Sequence, residues 1–194
     1  MTRPTARIVS SEGEALILVD EHDNEIGSLS KAECHDGDGI LHRAFSVFLF
    51  DEDGALLVQQ RAAGKRLWPL YWSNTCCSHP RVGESIGVAA ARRLEDELHT
   101  VADLEFVYSF AYHASFAGLG SERELCHVFL GRILQAPRAN ATEIAAMRYL
   151  SAKDLDRELE DDPGSFTPWF KLEWERLKEE FGGILAGYTG RQRS

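Results

Sequence analysis

Three histidines and two glutamates in this chain have types and spacings suited to holding one divalent cation. His35 and His42 stand at the two ends of "HDGDGILH", whose glycines let the chain double back so that both imidazoles reach one point. Glu122 and Glu124 are two residues apart in "SERELC", and in a strand that spacing puts both carboxylates on one face. His79 closes the run "NTCCSH". Each alone is most simply a solvated side chain. Together they form a mixed nitrogen and oxygen donor set for a five- or six-coordinate divalent ion, Mn2+ or Mg2+, with Zn2+ also accommodated. A structural zinc finger would instead pair cysteines at short spacing, and the chain has no C-x-x-C. Cys77 is two positions before His79, so an extended segment turns both toward one side and points Cys76 the other way, into the core. Cys76 and Cys126 then read as small buried hydrophobes.

The elements that must assemble these residues follow from hydrophobic period and turn signals. "EALILVD" and "EHDNEIG" give a strand, a polar turn and a short second strand, and "KAECH" a helical turn. "RAFSVFLF" and "ALLVQQR" flank the hairpin signal "DEDG". "LWPLYWSNTCCSHPRVG" reads as irregular, broken by Pro69 and Pro80. Residues 84–98, "ESIGVAAARRLEDEL", form the strongest helix, with Gly87, Ala90, Ala91, Leu94 and Leu98 as its apolar stripe. Two long strands follow, "LEFVYSFAYHASF" and "RELCHVFLGRIL", joined by "AGLGS", and then a strand over "AAMRYLS". Ser151 is placed to cap a short helix over "AKDLDREL". "TPWFKLEWERLKEEF" is a closing amphipathic helix that packs Phe170, Trp174, Leu177 and Phe181 inward, and "GYTGRQRS" reads as a frayed tail. The order predicts an α+β fold: one compact domain over 1–194, a mixed sheet between helices, with about 1–14 and 183–194 peripheral or flexible.

At 194 residues and 44% hydrophobic the chain can bury a full core. Its net charge of -10 argues against nucleic acid or an anionic membrane as a partner. An anionic substrate would have to be drawn in by a local cationic cluster or by bound metal. No apolar run approaches the roughly 20 residues of a membrane span. The first twenty residues hold too short an apolar stretch for a secretory signal, so a reducing cytoplasm is expected, without a disulfide framework among the four cysteines.

The helix resembles the Nudix box, a pattern in which glutamates hold Mg2+ on a diphosphate. Glu84, Arg92, Leu94, Glu95 and Glu97 match, while Ser78, Arg93, Asp96 and His99 depart from it. "LHRAFSVFLF", "LLVQQRA", "LWPLYWSNTCCSHP", "RRLEDEL", "FAYHASF", "ERELCHVF" and "FTPWF", in this order, are similar to the type I isopentenyl-diphosphate Δ-isomerases of the Nudix superfamily. That resemblance implies a Nudix-like fold and a reaction in which one carbon is protonated and another deprotonated through a tertiary carbocation. It implies Cys77 and Glu124 as the proton-transfer groups, Tyr112 as a partner of Glu124, and Trp169 facing the cation. Lys31, Arg61, Lys65 and Arg93 would grip diphosphate, with Trp72 beside the substrate. His35, His42, His79, Glu122 and Glu124 would hold one divalent metal, and Glu97 a second Mg2+ arriving with the substrate. The implied partner is a small diphosphate, bound by a monomer or a small homo-oligomer. The competing reading is a Nudix hydrolase of a nucleoside diphosphate derivative, which the Arg93 departure weakens by removing a metal ligand.

Overall fold

The computed structural model describes residues 8–190. In chain order the elements are β1 (Ala15–Val19), β2 (Glu25–Ser30), α1 (Lys31–His35), β3 (His42–Phe50) and β4 (Leu56–Arg61). They continue with β5 (Trp72–Ser73), β6 (Cys76–Ser78), α2 (Ile86–Leu98), β7 (Leu104–Phe116) and β8 (Gly120–Arg132). The chain ends in β9 (Ile144–Leu150), α3 (Ala152–Asp161), α4 (Pro168–Glu180) and α5 (Gly182–Thr189).

The strands form one mixed sheet centred on β3, whose nine residues are buried save Arg43. A strand covered on both faces needs a near-continuous apolar run, and "AFSVFLF", interrupted only by Ser46, supplies it. Phe45, Val47 and Leu49 pack with Ala89, Ala90, Leu94 and Leu98 of α2 on one face. Phe48 and Phe50 pack with Trp169, Phe170, Trp174 and Leu177 of α4 on the other. This is the expected mixed sheet between helices.

The register around β3 builds the site. β8 runs parallel to β3 and pairs Glu124 with His42. β7 runs antiparallel to β8 and sets Tyr112 opposite Glu124, and Ala114 opposite Glu122. The short β6 pairs antiparallel with β3 and puts Cys77 beside Ser46. Tyr112, Glu124 and His42 therefore form one row across three neighbouring strands.

Three expectations need correction. The segment read as irregular contains β5 and β6, because two-residue and three-residue strands leave no periodic signal. The buried face of α2 is Ala89, Ala90, Arg93, Leu94, Glu97 and Leu98, while Gly87 and Ala91 are exposed. The face turns toward Arg93 and Glu97 because these two charges neutralise each other one helical turn apart and go inside together. The frayed tail expected from Gly187 begins inside α5, where Leu185 is buried and the Tyr188 hydroxyl donates to Glu105 at 2.8 Å. Residues 191–194 of that expected tail lie outside the described residues, as do 1–7 of the expected peripheral N-terminus.

Local capping follows the sequence. Ser30 and Glu33 form a reciprocal capping box that starts α1, and Ser151 caps α3 by accepting from the Asp154 amide at 3.1 Å. His99, standing where the Nudix box has Gly, ends α2 in the left-handed region at φ 47 and ψ 41.

Gly120 ties the β7–β8 turn to α1. Its φ of 150 suits glycine, and a Cβ there would run into the carbonyl oxygen of His35. Gly120→Ala should therefore cost at least about 2 kcal/mol of stability and also reduce metal retention, because His35 must move. Gly27→Ala, at φ 151 with open space around it, should lose stability alone. Thermal melts and metal analysis of both variants check this, and normal metal content in folded Gly120→Ala would contradict it.

Candidate active site

α1 delivers His35 at its last turn, and the chain then reverses through Gly39 at φ 73 to enter β3 at His42. A Cβ on Gly39 would press on Ser121 at 3.2 Å, so the loop lies flat against the start of β8. His79 follows β6. The three imidazole centroids end up 4.9 to 5.6 Å apart, and the donor atoms of His35, His42, His79, Glu122 and Glu124 all lie within 4.8 Å of one another. All five residues are buried.

The chemistry of this cluster calls for a cation. The Ile40 carbonyl lies 2.7 Å from Nδ1 of His42 and can only accept, so Nδ1 carries the proton and Nε2 presents a lone pair inward. That Nε2 faces Nε2 of His79 at 3.2 Å, and His79 Nε2 is in turn 2.9 Å from Glu124 Oε1. His35 Nε2 and Glu122 Oε2 sit 3.0 Å apart, yet each is buried without a properly directed hydrogen bond. Burial, then the neighbouring His42 and His35, push His79 well below its ordinary value and keep it a neutral ligand. Two carboxylates and three imidazoles packed this way are stable together when a metal ion sits among them.

Glu124 links the cluster to a second set of residues. Its Oε2 accepts from the Tyr112 hydroxyl at 2.6 Å. Burial pushes its carboxyl up, but the hydrogen bonding and charge that His42 supplies when its Nε2 is also protonated, together with Tyr112, outweigh burial and hold it at about 2. Glu124 is accordingly a carboxylate.

Cys77 is held as a thiol. Asn74, fully buried, spends its amide hydrogens on the carbonyls of Val47 and Cys76, both at 3.2 Å. Its Oδ1 is thereby aimed at Cys77 Sγ, 2.7 Å away, and accepts the S–H. Trp169 Nε1 donates to the same sulfur at 3.2 Å, and Ser46 Oγ and Ser73 Oγ lie 3.7 Å from it. Burial, then the charge of Glu173, push the thiol up to about 12. Cys76 points into the α2 core and is fully buried.

One cavity collects most of the residues singled out in the sequence. Cys77, Tyr112, Glu124 and Trp169 line it together with His35, His79, Glu122 and the cations Lys31, Arg61, Lys65 and Arg93. Arg61 is braced by the carbonyls of Trp68 and Leu67 at 3.0 and 2.9 Å and lies 5.3 Å from the Trp169 ring. Burial, then the charge of Lys65, pull Lys31 below its ordinary value. Crowded cations in one lining suit an anion.

Two residues sit elsewhere. Trp72 is absent from this lining; its ring packs under Arg148 at 4.1 Å, and it bridges to Phe166 on another surface. Strand β5 is only two residues long, and its alternation turns Ser73, not Trp72, toward Cys77. Trp68, edge-on to Trp169 at 5.2 Å, is the second tryptophan near the cavity. Glu97 is also absent from the lining and accepts from Arg93 Nε at 2.8 Å.

Sequence reasoning missed Asn74, Ser46, Ser73, Glu143 and Glu173. Glu143 pairs with Lys65 and lies 3.8 Å from Arg93 Nη2, yet its setting before β9 gives no local signal. Asn74 had one available signal, a polar residue two positions ahead of a cysteine pair in a short buried strand.

This geometry, on a sheet flanked by helices, defines a Nudix-type fold with a buried histidine and glutamate cluster that could hold a metal ion. The NUDIX domain family matches residues 40–170. An isopentenyl-diphosphate Delta-isomerase of Photorhabdus laumondii is 42% identical, covering 83% of this chain and 93% of the relative. One from Nocardia farcinica is 44% identical over 78% and 87%, and one from Streptomyces avermitilis 42% over 97% and 99%. The chain belongs to the isopentenyl-diphosphate Delta-isomerase family. Among solved structures, DR0079 of Deinococcus radiodurans shares the fold at a TM-score of 0.68 and 19% identity, covering 84% of this chain and 98% of that one.

Elemental analysis of dialysed protein should find one tightly held divalent ion per chain, lost in His79→Ala. A metal-free preparation retaining full activity in chelator would contradict the assignment.

Proposed function

We propose that this chain interconverts isopentenyl and dimethylallyl diphosphate, with Cys77 and Glu124 as its two proton-transfer groups. The observation that carries the reading is a thiol whose S–H is accepted by Asn74 and a carboxylate that accepts from the Tyr112 hydroxyl, in the lining of one cavity. In the forward direction the Cys77 S–H proton passes to the terminal alkene carbon, using the π pair to form the new C–H bond. The neighbouring carbon becomes a tertiary cation. Glu124 then takes a proton from the carbon on the diphosphate side, and that C–H pair becomes the new double bond. Thiolate and carboxylic acid are left, and proton exchange resets them. The Trp169 ring supplies π-electron density, worth about 1–2 kcal/mol to a desolvated cation.

Lys31, Arg61, Lys65 and Arg93 bind the diphosphate. In the free protein Lys65 and Arg93 are occupied by Glu143 and Glu97. Diphosphate would compete for those cations, and Glu97, released from Arg93, would be free to hold a Mg2+ arriving with it. His35, His42, His79, Glu122 and Glu124 would hold Mn2+ or Mg2+, with Zn2+ as an alternative, and a bound ion would supply positive charge beside Glu124. A hydrolytic reading lacks support, since Arg93 replaces a box glutamate and is itself buried in an ion pair. No helix among the described residues is long and apolar enough to cross a membrane. Four free cysteines support a reducing cytoplasm.

Cys77→Ala should lose nearly all isomerase activity and Cys77→Ser most of it, because a hydroxyl is a far weaker acid than a thiol. Glu124→Gln should abolish turnover while substrate still binds. Cys76→Ala should keep the parental rate and cost about 1 kcal/mol of stability. Steady-state kinetics and substrate binding by calorimetry check all four. A Cys77→Ala or Glu124→Gln protein within a few-fold of the parent would remove that residue from the mechanism.

A further inference from the structure

Glu173 is the least expected residue in the interior. It lies on α4, one turn beyond Trp169, and is fully buried. No ion pair reaches it among the described residues. Its Oε1 accepts from the Cys126 thiol at 3.4 Å, and its Oε2 is sealed in without a hydrogen-bond partner. A buried acid without a cation is far less costly as the neutral species.

The groups that face it reinforce this. They are Cys126 and Glu124 from β8, Ser46 from β3, Cys77 from β6 and Tyr108 from β7. The Tyr108 hydroxyl donates to the Glu173 backbone carbonyl at 3.2 Å. Arg176, on the same helix, lies over the Tyr108 ring at 4.9 Å. Burial pushes the Glu173 carboxyl up to about 8, opposed by hydrogen bonds from Ser46 and Cys126 and aided by the charge of Glu124.

From Glu173 a short chain of polar atoms leads to the reacting thiol. Cys126 Sγ is 3.4 Å from Ser46 Oγ, which is 3.7 Å from Cys77 Sγ. Ser46 and Cys77 are register partners between β3 and β6, so this approach is fixed by the backbone.

We propose that Glu173 is a positioning residue for the Cys77 thiol, acting through Ser46 and Cys126 as a neutral carboxylic acid. While neutral, it leaves the Ser46 hydroxyl hydrogen free to point at the Cys77 sulfur, where it joins the Trp169 N–H. Once ionised, it draws the Ser46 and Cys126 protons onto itself, since charged acceptors bind donors more strongly. The sulfur then loses a donor, and the thiolate left after proton transfer faces a like charge in a poorly screened interior. This inference rests on the proton-transfer role of Cys77 proposed above.

The test is kcat and KM against pH, from neutrality upward, for the parent, Glu173→Gln and Glu173→Leu. The parent kcat should fall as pH rises through about 8 while KM holds steady. Glu173→Gln, uncharged at every pH, should rescue the neutral-pH rate and lose that fall. Glu173→Leu, similar in volume but unable to accept the Cys126 thiol, should leave Cys126 and Ser46 unanchored beside Cys77 and lose kcat on the order of tenfold with KM unchanged.

Melting curves give a second readout, available even if the leucine variant folds poorly. The folded state keeps a proton that the unfolded chain releases above its ordinary 4.5. The Glu173 contribution to stability is therefore full below 4.5 and declines as pH rises toward about 8, and Glu173→Gln should flatten that decline. A Gln variant with the parental fall in kcat, or a folded Leu variant with parental kcat, would overturn the proposal. An inactive Cys77→Ala beside an indifferent Glu173→Leu would sink this inference alone. An active Cys77→Ala would overturn the underlying reading as well.

Discussion

The parallel pairing of β3 with β8 is the constraint on which the rest of the site depends. It runs in unbroken register from His42 with Glu124 to Phe50 with Arg132. Because β7 and β6 are hung on these two strands, the same register also fixes Tyr112 opposite Glu124 and Cys77 beside Ser46. A slip of one residue would flip the side chains of β8 to the opposite face and turn both glutamates away from the histidines. The burial of Phe45, Val47, Phe48 and Leu49 on two faces makes such a slip prohibitively costly. Apolar packing thus holds polar groups in positions they would not choose for themselves.

Those polar groups are arranged in two electrostatic compartments. One is a nest of acceptors around His35, His42, His79, Glu122 and Glu124, whose facing lone pairs need a cation. The other is a set of cations, Lys31, Arg61, Lys65 and Arg93, lining the same cavity. A chain of net charge -10 repels anions at long range, so the proposed binding of a diphosphate would rely on this local reversal of sign. The internal pairs of Lys65 with Glu143 and Arg93 with Glu97 keep buried charges compensated without substrate.

Much of this was legible in the sequence. The histidine and glutamate cluster could be read because strand alternation and a glycine-rich reversal leave plain spacings, as with Glu122 and Glu124 or His35 and His42. The opposite orientations of Cys76 and Cys77 followed from alternation alone: Cys76 packs in the α2 core and Cys77 lines the cavity. What stayed hidden were contacts between distant segments. Glu143 meets Lys65 across 78 positions, and Asn74 is aimed by carbonyls of Val47 and Cys76. Trp72 was misplaced for a related reason: in a two-residue strand, the tertiary partner decides which side chain faces the site. On α2, helical periodicity allowed two neighbouring faces, and the inward Arg93–Glu97 pair chose between them.

The central claim is that one proton enters and another leaves a substrate whose diphosphate is untouched. Incubation with isopentenyl diphosphate in D2O, followed by proton and phosphorus NMR, tests it most directly. The account predicts dimethylallyl diphosphate carrying solvent deuterium in the newly formed methyl group, with no phosphate released. Isomer formed without deuterium, or phosphate released in place of isomer, would contradict it.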